Sequence, residues 1–228
     1  IIPLNRLALA LIPVLVVILV QQRWKLPVRP TIYGAVRMLA QLLLVGYVLV
    51  FLFDTDSSLI VFGVLAMMIM VASWIALRPM GHDRPRLYWT ALGAIMVGGV
   101  PTLFLTTQWV IDVTLWYAPR YLIPLAGMIF SHSMNSVSIA AERYAAEMNN
   151  GQKEESARRT AFQAALIPLV NSLMAVGLVS LPGMMTGQVL AGVSPLIAAR
   201  YQIMIMCVLF GAAGLSAVCY LSWARKVR

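Results

Sequence analysis

Residues 59–77 read LIVFGVLAMMIMVASWIAL, without one charged side chain. A run of this kind matches the roughly 20 residues an α-helix needs to cross the hydrocarbon core of a bilayer. Further apolar runs occupy 4–20, 32–53, 87–107, 121–141, 164–181 and 196–223. They are continuously apolar rather than alternating, which argues for helices and against a membrane β-barrel. Of all residues, 61% are hydrophobic and 11% charged, against about 25% charged in a soluble domain. The sequence predicts an all-α fold: a polytopic transmembrane helix bundle of about seven spans, in a single transmembrane domain over 1–228.

The connecting segments set the topology. Placing the loops after spans one, three, five and seven on one side gives that side 14 of the 17 Lys and Arg, and leaves Arg6, Arg120 and Arg200 for the other. The positive-inside rule then puts the amino end outside and the carboxyl end in the cytoplasm. The net charge of +9 is explained by this distribution, and no nucleic-acid partner is expected. The chain opens on Ile1, and its first apolar run lacks a small-residue cleavage site, so it is read as a retained span. Trp109, Trp116 and Tyr117, in the linker 108–119, suit an interfacial aromatic belt. Cys207 and Cys219 fall about 120° apart on one helix at ~100° per residue, which makes neither a disulfide nor a metal pair.

Polar groups inside hydrocarbon are costly and usually face a bundle interior or a water path. In the second span Arg37 and Gln41 lie one turn apart. They read either as the wall of a transport pathway or, for the arginine, as a side chain snorkelling to the interface. In the fifth span Ser131, Asn135, Ser138 and Glu142 form one stripe that Gly127 extends, with His132, Ser133 and Met134 beside it. That stripe lines a pathway or joins neighbouring helices through small and amide side chains. Asn171, next to Ser172 and one turn past Pro168, is the matching candidate in the sixth span, where it would pair with Asn135. His132 and Met134 are the metal-ligand candidates within the bundle, a set too sparse for a tight transition-metal site.

The stretch 142–163 carries the densest charge. Asn149-Asn150-Gly151 divides it into two short helices, and Glu154–Arg158 and Glu155–Arg159 are spaced as i,i+4 pairs with the acid first. Ala157, Ala161 and Ala165 form a small-residue stripe. The segment reads as a docking handle for a partner or as a solvated hairpin. The loop 182–195, PGMMTGQVLAGVSP, reads as a re-entrant segment or outer gate, or as a compact turn that packs Met184 and Met185. Thioether sulfur suits Cu(I) and suits iron poorly. The sequence contains no G-x-x-x-x-G-K-[ST], H-E-x-x-H, C-x-x-C or G-x-S-x-G, so no catalytic site and no cofactor bound by this chain are predicted.

The blocks SMNSVSIAAERY, NGQKEESARRTAFQAALIPLVNSL and VGLVSLPGMMTGQVLAGVSPLIAARYQI, with RMLAQLLLVGYVL in the second span, resemble the FetB-like permeases. These are membrane subunits of small ABC-type exporters, associated with iron export in bacteria and with aluminium tolerance in plants. The sequence departs from the family pattern at Ser131-His132. The resemblance implies a permease in the bacterial inner membrane that moves iron or another metal ion outward. It implies a homodimer of permeases in the lipid bilayer, joined to a separate FetA-like ATP-binding subunit that carries ATP-Mg. It also makes 142–163 the coupling segment, with Glu147, Gly151, Glu154, Glu155, Arg158 and Arg159 as its contact residues. The rival readings are an ABC permease for a non-metal solute, a seven-span receptor, and a proton-driven secondary transporter. The last is disfavoured because Glu142 is the only carboxylate near a span.

Overall fold

The computed structural model describes residues 3–53 and 57–224, and leaves the side chains of Leu4, Asn5, Ala8 and Val50 undescribed. The chain forms two compact units, Ile1–Thr55 and Asp56–Arg228. The acidic turn expected around 54–58 lies partly outside the described residues, as does the basic tail after 224. No strand occurs among the described residues.

The first unit contains α1 (Leu4–Leu9), α2 (Ile12–Arg23) and α3 (Arg29–Phe53). The first expected span is therefore broken. Pro13 lies in the first turn of α2; it has no N–H to continue the hydrogen-bond ladder from α1, so the chain turns at Ala10 and Leu11.

The second unit contains α4 (Ser58–Ala76), α5 (Arg84–Leu105), α6 (Pro119–Asn149), α7 (Glu154–Ala175), α8 (Gly183–Leu190) and α9 (Pro195–Ala224). A 3-10 segment, Arg78–Asp83, leads into α5, and a π turn, Thr106–Val110, extends it. Among the described residues, five segments are long and apolar enough to cross a membrane: α3, α4, the continuous stretch Arg78–Val110, α6 and α9.

The core is built from close helix approach over small residues. Ala91, Ala94 and Gly98 of α5 meet α9, where Ala212, Ala213, Ser216 and Ala217 are buried. Between lipid-facing helices the driving force is packing rather than water exclusion, and small residues maximise it. Three buried hydroxyls donate to the carbonyl four residues back: Ser73 to Ile69 at 2.7 Å, Thr106 to Thr102 at 2.7 Å, and Ser216 to Ala212 at 2.7 Å. That satisfies them where no water is available.

Two further expectations change. The segment 142–163 is not a pair of short helices. It is the end of a 31-residue helix and the start of a 22-residue one, joined at the expected place by Gly151 with φ of +76°. At 1.5 Å per residue α6 is about 46 Å long, so it reaches well beyond a ~30 Å hydrocarbon core. The sixth expected span also stops early. Gly177 takes a left-handed φ of +83° just past the end of α7 at Ala175, as glycine commonly does at a helix end. The apolar part of α7, from 164 to 175, is about 18 Å long, too short to cross alone. The following loop 182–195 is largely α8, an eight-residue helix.

Candidate functional site

One end of the second unit collects the charged loops. Met80, Asp83 and Arg86 share a small cavity with Tyr144 of α6 and Tyr220 and Ala224 of α9. Glu155, Arg158 and Arg159 of α7, with Phe162, border a shallow groove of about 220 Å³ against Val218 and Leu221 of α9. The basic loop after α4, the α6–α7 hairpin and the end of α9 therefore lie together, as the charge distribution groups them. The Trp-rich linker lies elsewhere and packs on the start of α4, with the Trp116 ring 5.3 Å from Phe62 and 5.5 Å from Tyr117.

In the hairpin both expected ion pairs form: Arg159 to Glu155 at 2.6 Å, and Arg158 to Glu154 at 3.8 Å. A third, Arg143 to Glu147 at 2.6 Å, follows the same i,i+4 spacing. Ala157, Ala161 and Ala165 are buried. This apolar seam holds α7 against its neighbours and turns the charged residues outward.

The polar stripe of α6 lies differently from a buried pathway wall. Ser131, Asn135 and Glu142 are exposed and Ser138 is half-buried, while the opposite face of α6 buries Ala126, Ile129, Phe130, Val137 and Ala140. The Ser131 hydroxyl donates to the Met128 carbonyl at 3.0 Å. Gly127, one turn before Ser131 on the same helix, is half-buried and faces Met68 of α4. In the first unit, Arg37 donates to the Gln41 side-chain oxygen from Nε at 3.1 Å, once that amide is oriented to face it.

A cavity of about 480 Å³ opens among α6, α7, α8 and α9. Met128 and His132 reach it from α6, Asn171 and Ser172 from α7, Met184 from α8, and Gln202 and Met206 from α9. Gln202 is 6% exposed, and its Oε1 has no hydrogen-bond partner. A smaller cavity of about 110 Å³ adjoins it at His132 and Ser172, and includes Asn135, Ser136 and Pro168. Asn135 and Asn171 thus border different cavities, and no hydrogen bond joins them. Met185 and Met134 line neither cavity.

Reading spans one at a time missed Met128, Gln202 and Met206. The signal was present as two one-turn spacings, Met128/His132 and Gln202/Met206, but nothing in the sequence says that these two faces meet.

Apolar helices of spanning length, packed through small residues and enclosing a mostly apolar cavity with a few polar groups, define a multi-pass helical membrane protein. The sequence matches the model of an uncharacterised protein family, UPF0014, over residues 4–227, and the chain belongs to that family. It is 42% identical to "UPF0014 membrane protein slr1647" of Synechocystis, over 75% of this chain and 71% of that protein. It is 33% identical to "Probable iron export permease protein FetB" of Escherichia coli, over 96% of this chain and 90% of that protein. It is 30% identical to "Protein ALUMINUM SENSITIVE 3" of Arabidopsis thaliana, over 95% and 84%. No solved structure matches the chain.

Proposed function

We propose that this chain is the permease subunit of an ABC-type exporter in a bacterial inner membrane. It moves a metal ion out of the cytoplasm, and a separate subunit binds and hydrolyses the ATP. The observation that carries this reading is the α6–α7 hairpin. By the length of α6 it reaches past a ~30 Å hydrocarbon core; it turns Glu155 and Arg159 outward, and with Arg158 they border a groove on α9. A rigid charged projection of this kind suits a partner that pushes on two packed helices, α6 and α7, at once. The likeness to a protein named as an iron export permease, along nearly the whole chain, supports the same reading.

The exposed stripe supports a pair of permeases. Asn135 lies 16 residues into α6, well inside the membrane by length, and an amide there is costly against lipid. A second copy of this chain covers it, and the transport path runs between the two stripes.

The test is co-purification. A membrane-extracted complex is expected to contain this chain and an ATPase subunit in equal numbers, with ATP hydrolysis stimulated by a metal ion. Metal transport by the isolated chain in liposomes, without ATPase or ATP, overturns the reading.

A further inference from the structure

The 480 Å³ cavity has an unusual donor set for a metal-moving protein. Two facing helices each contribute a pair at one-turn spacing: Met128 and His132 on α6, Gln202 and Met206 on α9. Residues four apart on a helix have Cβ atoms about 5–6 Å apart, close enough to converge on one ion. Met184 enters from α8 and Asn171 from α7.

We propose that this cavity is a binding site for a soft monovalent metal ion, Cu(I) or Ag(I). The thioethers of Met128, Met184 and Met206 and the imidazole of His132 are its ligands, and the Gln202 side-chain oxygen completes it.

Three observations carry this. First, the donors are soft. Thioether sulfur selects Cu(I), and imidazole also suits copper, whereas Mg, Ca and Mn prefer carboxylate, carbonyl and water oxygens. Second, no carboxylate lines the cavity, and no group of three His, Cys, Asp or Glu suited to a metal occurs among the described residues. The cost of moving an ion out of water grows with the square of its charge, so a dication would cost about four times as much as a monocation in the same uncharged cavity. Third, the Oε1 of Gln202 is buried without a partner. An acceptor left empty in this way is costly, and a cation beside it removes that cost.

As a statement about cargo this inference rests on the permease reading; as a statement about binding it stands alone.

The test uses the full chain in nanodiscs, with C207S and C219S removing the two thiols. Cu(I) is supplied from a bathocuproine disulfonate buffer, with Fe(II) and Zn(II) as comparators. One Cu(I) is expected per chain, with X-ray absorption reporting sulfur scatterers. The volume-conserving variant M128L/M184L/M206L is expected to lower affinity by about 100-fold while keeping helical content. Absence of Cu(I) binding, copper without sulfur neighbours, equal Fe(II) affinity, or a folded triple variant with unchanged affinity overturns the site. If the triple variant does not fold, the sulfur signal of the intact chain decides alone. ATP-driven iron transport without Cu(I) binding keeps the permease reading and removes the soft-metal site. Cu(I) binding without ATP-driven transport does the reverse.

Discussion

Gly98 of α5 lies against Ser216 of α9 so closely that a methyl group on Gly98 would fall 2.2 Å from the serine Oγ and 2.6 Å from its backbone nitrogen. The Ala212 carbonyl is also within 2.8 Å of that position. Two of the three obstacles are backbone atoms, which no rotamer change can move.

Gly98→Ala is therefore expected to destabilise the bundle by about 1–3 kcal/mol, the usual cost of overpacking. Ser216→Ala should not rescue it, because the backbone atoms remain. Gly211→Ala, in open space on α9, is expected to be neutral or slightly stabilising, since alanine is favoured over glycine in a helix interior by about 1 kcal/mol. Thermal unfolding in detergent compares the three. Equal stability of Gly98→Ala and the parent chain contradicts the packing described.

Gly151 holds the α6–α7 hairpin at φ +76° with open space around its Cα. Gly151→Ala is expected to cost about 1–2 kcal/mol from backbone strain alone. Hydrogen exchange should show the loss at the ends of α6 and α7, with α5 and the middle of α9 unchanged.

The Glu155–Arg159 pair is largely exposed. Exchanging its charges with E155R/R159E is expected to change stability by less than about 0.5 kcal/mol, as exposed i,i+4 pairs contribute little. Capture of the proposed ATPase subunit should nevertheless fall sharply, because the field presented to it is inverted. A pull-down that is indifferent to the exchange removes this pair from the coupling surface.

The exposed stripe of α6 predicts proximity between copies. S131C in a chain lacking the native cysteines is expected to give an oxidised dimer in membranes, and a cysteine at the exposed position of Trp89 should not. Equal cross-linking at both positions contradicts a specific interface.

Much of the frame was legible in the sequence. Residues 59–77 announced α4, Gly151 marked the hairpin turn, and the Glu-x-x-x-Arg spacings gave both ion pairs of α7. Hydropathy misread the first and sixth spans because it sums apolarity without asking where the ladder breaks. Pro13 and Gly177 are the residues that break it. The cavity was hidden for a different reason. Its donors stand far apart along the chain, from Met128 to Met206, and only the packing of α6, α7, α8 and α9 brings them together. Asn135 shows the limit of helical periodicity, which identifies a stripe but not what the stripe faces.

The most direct test of the proposed permease role is metal efflux from vesicles that contain this chain and the proposed ATPase subunit. ATP is expected to drive metal ions away from the face bearing the α6–α7 hairpin, with no movement when either subunit or ATP is omitted. ATP-independent movement, or ATP hydrolysis that never displaces a metal ion, contradicts it.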